Sequence, residues 1–469
     1  MIPYFPNKLA RPAIVVYFLA LIAVSFVFNN YAMEFAFIAI GCTGVLLFFL
    51  GAPYLTVNWN NLHGKSFERK LFWTAFLLRT AWVLFSYFFY LNRTGQPFEF
   101  NAADELAYYE GGKAWSKGDL VNLIYFINGA RYMGGLSDTG YLFVLGFLNR
   151  FTGANIIITR LIKSLVASYA CVLVYRLAAR NFGEQVGKMA GVFYALMPNT
   201  IIYCGNHLKE SFMVFIIIAF LERVDYLLKS KRFTFWNVLL PTLLVLSLFT
   251  FRTVLAAACL FALVTALLLT PQPKSKKSRR WALLAWVVLG AGILGGGTLA
   301  DDLNEYWEGR DTNQQLKREQ QTKRGNQWAK YATGTVMAPM IVAMPFSTMI
   351  EVDDQQNQNV KHGGNFVRNY MAFFVVLALF TMVFRQKNWR EHTLLWAYMF
   401  SYLGIIAFSG FANSERFLFP GLPPIMIFAA YGVSVLNAKS YKLFKLWPIV
   451  VFAMEFGWAY FKVGSRGLL

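Results

Sequence analysis

Asp104 and Glu105 stand side by side in FNAADELAYYEGGKAW (100–115), two carboxylates in a chain whose formal charge is +20. A carboxylate can take the proton of a hydroxyl or amine as that group attacks an electrophile. Fixed cations do the complementary work of stabilising an anion that develops or departs. Candidates for both tasks recur where apolar runs begin or end. Arg160 and Lys163 lie three apart in NIIITRLIKSLVASY, on one helix face. His207, Lys209 and Glu210 lie in CGNHLKESFMVF. A helix through them puts His207 and Glu210 on one face and Lys209 about a third of a turn away. Arg252 sits between two apolar runs, and Glu415 and Arg416 open another in NSERFLFPGLPP. A few carboxylates among Arg and Lys suit an anionic ligand together with a base.

Plainer readings stand beside these. Asn101 can cap a short helix whose first turn carries Asp104 against the helix dipole. Arg160 and Lys163 can snorkel to anionic headgroups. Lys209 and Glu210 can pair with other loops, Arg252 and Arg416 can anchor helix ends, and His207 can be a structural hydrogen-bonder. Tyr108, Tyr109 and Trp115 fit packing or an interfacial aromatic belt. His63, His362 and His392 have no metal-ligand spacing to one another, and QQLKREQQTKR (314–324) reads as a solvated helix face.

The elements that must position these residues follow from composition. The chain is 57% hydrophobic, 18% aromatic and 14% charged, against about a quarter charged in soluble domains. Repeated apolar runs approach the length that spans a bilayer. Their lack of strand-like alternation argues against an outer-membrane barrel. The expectation is an all-α polytopic membrane protein of roughly thirteen transmembrane helices. They are placed near 12–29, 33–52, 71–92, 154–177, 187–204, 208–227, 235–250, 253–270, 281–299, 366–384, 393–410, 417–436 and 446–462. The chain reads as one membrane domain, 1–469, with no appended soluble domain, no internal repeat and a first apolar run that is retained.

The basic residues fall in short loops, which argues for the positive-inside rule and against nucleic acid as partner. Lys8, Arg11, Lys65, Arg69, Lys70, PKSKKSRR (273–280), RQKNWR (385–390), Lys439, Lys442 and Lys445 share the cytoplasmic side by alternation. Two long structured loops then lie outside. One spans 93–153 and carries Asp104 and Glu105. The other spans 300–365 and includes VMAPMIVAMPFSTMI (336–350), short and proline-bearing, which suits the membrane interface. Cys42, Cys171, Cys204 and Cys259 sit in or beside apolar runs and read as small buried hydrophobes.

The pattern D-E-x-x-Y-Y-x-x-G-x-x-W-x-x-G from Asp104 to Gly118 resembles the first outer loop of GT-C superfamily glycosyltransferases. The nearest groups are the family 39-like protein O-mannosyltransferases and aminoarabinose transferases. TRLIKSLVASYACVLVYRLAARNFG (159–183) is similar to their Arg-bearing span. FYALMPNTIIYCGNHLKESFMVF (193–215) is similar to their proline-containing span followed by an acidic opening. ERFLFPGLPPIMIFAAYGV (415–433) is similar to their Arg-aromatic-Leu-x-Pro span. The likeness covers about 90–230 and 410–435; 235–365 matches in hydropathy alone. Two departures accompany it. The acidic loop follows the third span rather than the first, and the C-terminus lacks the soluble outer domain of some relatives.

The resemblance implies a GT-C-like bundle that moves a sugar from a polyprenyl-phosphate donor to an acceptor, with inversion at the anomeric carbon. The acceptor is a lipid, a glycan or a protein. It implies Asp104 as the base, with Glu105 orienting the loop or the acceptor and Glu210 as the second acidic position. Arg160 resembles the phosphate-binding arginine, seconded by Lys163, Lys209, Arg252 and Arg416. Mg²⁺ or Mn²⁺ on Asp104 and Glu210 is a possible cofactor. The setting implied is a bacterial inner membrane, in contact with its lipids, with the site facing the periplasm. A polyprenyl-diphosphate polymerase or ligase, a flippase for a lipid-linked anion, and a structural membrane subunit remain as alternatives.

The loop charges predict a topology. A cysteine placed at Asn128 or Gln320 reacts with an impermeant thiol reagent from outside and one at Ser275 does not. Labelling of the Ser275 cysteine alone would turn Asp104 to the cytoplasm.

Overall fold

The computed structural model describes residues 2–118, 138–229, 235–270, 340–351, 355–408 and 414–464. The helices among them are α1 (Asn7–Val27), α2 (Phe35–Asn58), α3 (Gly64–Thr94), α4 (Ala103–Lys117), α5 (Thr139–Thr152), α6 (Ile156–Phe182), α7 (Glu184–Leu196) and α8 (Pro198–Gly205). After them come α9 (Glu210–Lys229), α10 (Phe235–Phe251), α11 (Thr253–Leu269), α12 (Gln356–Phe380), α13 (Thr393–Phe408), α14 (Glu415–Leu418), α15 (Leu422–Ser434), α16 (Ala438–Phe444) and α17 (Trp447–Gly464). The described residues form no sheet, only an isolated antiparallel bridge between Ala32 and Ile350.

Among the described residues, seven helices are long and apolar enough to cross a membrane: Asn7–Val27, Phe35–Asn58, Gly64–Thr94, Ile156–Phe182, Gln356–Arg385, Glu415–Ser434 and Ala438–Gly464. Ile22, Phe26, Trp73, Leu77, Ile449 and Phe461 stay exposed on their outer faces, apolar side chains that a bilayer would cover. The protein is an integral membrane protein, and its described residues are predominantly helical. The expected thirteen spans are only partly matched by helices of that length. Helices α10 and α11 are shorter, at 17 residues each, and the span expected at 281–299 lies outside the described residues.

The span expected at 187–204 is two helices with a break at Pro198. Proline supplies no N–H and disfavours helical backbone before it, and Met197 is accordingly extended. The break frees carbonyls inside the bundle, and side chains supply donors to three of those beside it. The Thr200 hydroxyl donates to the carbonyls of Tyr194 at 3.0 Å and Met197 at 2.8 Å. Arg79, fully buried in the middle of α3, donates to the Ala195 carbonyl at 3.4 Å and to the Thr200 hydroxyl at 3.0 Å.

Of the apolar stretch 336–350, the described part begins at 340 and is covered by the protein. Residues 341–350 are buried, and most of that backbone is irregular. Irregular backbone at membrane depth persists only where protein satisfies its polar groups. Arg368 donates to the Pro345 carbonyl at 2.9 Å, and Asn369 donates to the carbonyls of Pro345 at 3.1 Å and of Ala343. The Ser347 N–H and hydroxyl both donate to Glu455 of α17, at 2.8 and 3.1 Å. Helix α12 starts at Gln356, so 356–365, expected in the second outer loop, opens a span and is largely buried.

The end of α3, the start of α6, the α8–α9 and α10–α11 turns and the starts of α12 and α14 meet at one end of the bundle. Every candidate residue lies there. Gly95 closes α3 in the left-handed conformation, at φ 73°. Asn357 on α12 then pins the following loop, bonding both the Phe100 N–H (3.2 Å) and carbonyl (2.7 Å).

Arg79→Met removes the donors that close the α7–α8 break. It is expected to lower stability by about 1–3 kcal/mol through the stranded Ala195 carbonyl, read by denaturation in detergent. The same change at Lys70 is expected to cost far less.

Candidate functional site

Arg416, in the single turn α14, joins two carboxylates that come from distant parts of the chain. Its Nε donates to Glu210 Oε1 and its Nη1 to Asp104 Oδ2. Glu210 is the first residue of α9 and fully buried, whereas the Asp104 side chain, in the first turn of α4, is 61% exposed. Asp104 is thus the carboxylate of this group that a substrate can reach. Lys209 donates to the Phe251 carbonyl at 3.0 Å and pairs with Asp138. The Arg252 guanidinium lies over the Phe417 ring at 4.5 Å, and its Nη1 is buried without a hydrogen-bond partner among the described residues.

Glu105 turns the opposite way from Asp104. It is fully buried and accepts the N–H groups of Glu99 at 3.0 Å and His207 at 2.7 Å. It thereby ties the loop after α3 to the turn before α9. Arg160 Nη2 lies 3.7 Å from Glu105 and donates to the Pro97 carbonyl at 2.6 Å. Lys163 donates to the Asn206 carbonyl. Both cations point into the protein and are fully buried, so neither reaches a lipid headgroup. Burial first, and then the neighbouring Glu99, push the Glu105 carboxyl up to about 7, against the pull of Arg160 and the two N–H groups. Burial, helped by Arg160 and Lys163, holds the His207 ring well below the usual histidine range. That ring packs against Phe98, Tyr109 and Tyr141, and neither ring nitrogen has a partner among the described residues.

The helical phase drawn through His207, Lys209 and Glu210 does not apply, because residues 206–209 form a turn and α9 begins at Glu210. A divalent ion on Asp104 and Glu210 also meets an obstacle, since the Arg416 guanidinium already joins them. Mg²⁺ demands an octahedron of oxygens. No group of three or more His, Cys, Asp or Glu side chains gathers to hold a metal among the described residues.

Residues 136–303 match the profile of the Alg9-like mannosyltransferase family. That match supports a glycosyltransferase of the GT-C superfamily that uses a lipid-linked sugar donor. The matched stretch contains Arg160, Lys163, Lys209, Glu210 and Arg252 and lies between Asp104 and Arg416. No curated protein and no solved structure matches the chain.

Several residues of this end of the bundle escaped the sequence reading. Glu99 accepts from Asn206 at 2.7 Å and lies 3.7 Å from Lys361. Lys361 falls before the span expected at 366–384, and Arg368 falls inside it. The signal was available: polar residues at 361, 365 and 368 repeat at helical spacing into an apolar run. Asp138 gave no signal, because it is an ordinary loop carboxylate until Lys209 folds against it.

The raised Glu105 carboxyl predicts a pH dependence. Its folded value lies above the ordinary carboxylate value of about 4.3. Its contribution is therefore fully present below that value and is lost as pH rises through about 7. Stability falls over this window with a slope of up to about 1.4 kcal/mol per pH unit from this group. Glu105→Gln is expected to flatten that part of the profile of melting temperature against pH.

Proposed function

We propose that this protein transfers a sugar from a polyprenyl-phosphate donor to a hydroxyl or amine of a lipid, glycan or protein acceptor on the outer side of the membrane. The observation that carries the proposal is the Arg416 bridge to a buried Glu210 and an exposed Asp104, with Lys209 and Arg252 beside it. The accessible carboxylate is the base. It takes the acceptor's proton as the acceptor oxygen or nitrogen bonds to the anomeric carbon and the bond from that carbon to the phosphate oxygen breaks. A single displacement of this kind inverts the anomeric centre. Arg416 positions Asp104, and Glu210 positions Arg416 from behind.

The departing phosphate carries its charge away, so it needs cations more than a proton. Arg252 and Lys209 stand nearest to the Arg416 cluster and serve this role first, with Lys163 and Arg160 deeper behind the loop. The matched family makes mannose the first donor sugar to try. The loop 100–115 lies outside the matched stretch, and there the family 39-like likeness guides the assignment of Asp104. The setting proposed is a bacterial inner membrane with the site facing the periplasm.

The test is sugar transfer by purified protein from a synthetic polyprenyl-phosphate mannose. Asp104→Asn keeps the side chain's shape and one acceptor oxygen for Arg416 but cannot accept the proton. Turnover is expected to fall by about 10²-fold or more, with an unchanged melting temperature. Near-parental turnover in Asp104→Asn ends the assignment of the base.

A further inference from the structure

The end of the bundle away from Asp104 carries cations of two kinds. Those on α6 and α9 are paired. Arg176 binds Glu68 at 2.6 Å, Arg180 binds Glu222 at 2.5 Å and Asp225 at 3.0 Å, and Lys229 binds Asp225 at 2.8 Å. The others lie where the N-terminus meets α16. The span Glu415–Ser434 leaves the Arg416 end and brings Ser434 to the far end, where its carbonyl accepts the Ile2 N–H at 3.0 Å. That bond sets the start of α1 beside α16. Lys8 and Arg11 stand exposed on α1, and Lys439, Lys442 and Lys445 stand exposed on or just after α16. Residues 1–33 and 416–454 contain no Asp or Glu. None of the five cations enters an ion pair among the described residues.

Two of the five converge on one ring. Lys8 Nζ lies 5.0 Å and Lys445 Nζ 5.7 Å from the centroid of Tyr441. The ring's negative face offsets part of the repulsion between the two ammonium groups. A full negative charge would offset the rest, and neither chain segment supplies one.

The fold sets these charges beside apolar surface. Asn437 and Ser440 close a capping box at the start of α16. At its end Phe444 is buried among the rings of Tyr370, Phe373 and Phe374, with centroids at 5.9, 5.4 and 5.3 Å. Anchored on that side, the helix turns Leu443 outward at 63% exposure, and Leu446 and Ile449 continue the apolar surface into α17. A helix that shows lysines and leucines together at the end of a span lies where headgroups meet acyl chains. Basic residues at that level attract anionic lipid. A ligand with a phosphate at one end and a hydrocarbon chain at the other matches both parts of the surface.

We propose that the corner between α1 and α16 binds an anionic phospholipid of the bilayer, with its phosphate between Lys8 and Lys445 and an acyl chain along Leu446 and Ile449. The lipid supplies the counter-charge that the two segments lack and clamps the N-terminal helix to α16. The proposal does not depend on the sugar-transfer reading.

The test uses the full-length protein in neutral detergent, titrated with phosphatidylglycerol, with phosphatidylcholine and inorganic phosphate as comparison probes. Melting temperature follows binding. Lys8→Gln/Lys445→Gln is compared with Lys65→Gln/Arg69→Gln, which removes two exposed charges from the start of α3. Phosphatidylglycerol is expected to raise the melting temperature of the parent and of the α3 double variant more than phosphatidylcholine does. In Lys8→Gln/Lys445→Gln its affinity is expected to fall by about tenfold or more. Lys8→Arg/Lys445→Arg keeps both charges and is expected to keep the parental response, which separates a lost charge from a damaged fold. An equal fall in both glutamine double variants overturns the site in favour of diffuse attraction to a basic surface. Inorganic phosphate that stabilises the parent as well as phosphatidylglycerol does overturns the lipid in favour of a free-anion site. A parent that responds alike to phosphatidylglycerol and phosphatidylcholine overturns the proposal outright.

Discussion

A charge held away from water must be matched where it stands, and Arg416 is where this constraint acts most visibly. One guanidinium, planar and with its donors in a fixed fork, holds Glu210 from the buried side and Asp104 from the exposed side. Removing Arg416 strands the fully buried Glu210, which is far more costly than losing a surface pair, whereas Asp104 stands at the exposed edge of the bridge. The bridge therefore does more than neutralise. It sets the position of α4 relative to α9 and α14, and with it the direction in which Asp104 faces.

The same constraint explains the irregular parts of the fold. A proline break and a buried non-helical stretch would each leave carbonyls without partners in a membrane. Arg79 and Thr200 donate to the carbonyls of the first, Arg368 and Asn369 donate to those of the second, and Glu455 accepts the Ser347 N–H. Arg79, Arg368 and Asn369 reach across from another helix, whereas Thr200 serves the break from within α8. The intact helices carry the load of spanning, and the irregular segments are thereby free to shape the end of the bundle where the candidate residues meet.

That end divides into two layers of different electrical character. Around Arg416, cations and carboxylates are tightly joined and one carboxylate is open to substrate. Around α12, charges balance and amides and phenol hydroxyls remain unused. Tyr203 stands between them, close to both sets of charges.

Composition and the spacing of apolar runs determined by themselves that this is a helical membrane protein, because a bilayer imposes a length and a polarity that any spanning segment must show. Local charge at the ends of those runs also singled out Asp104, Glu105, Arg160, Glu210 and Arg416, since an ionisable group beside a span is conspicuous in any reading. What sequence periodicity cannot supply is the partner. It tells which residues share a face of one helix, not which face of another helix lies opposite. Asp104 and Arg416 are 312 residues apart in the chain, and only the packed bundle decided that they touch. The division between Asp104 and Glu105, one facing solvent and the other tying the loop to the His207 backbone, was likewise decided by tertiary contacts. So were the start of α9 at Glu210 and of α12 at Gln356. A helix begins where its neighbours can satisfy its free N–H groups and bury its first turn, and those neighbours come from elsewhere in the chain.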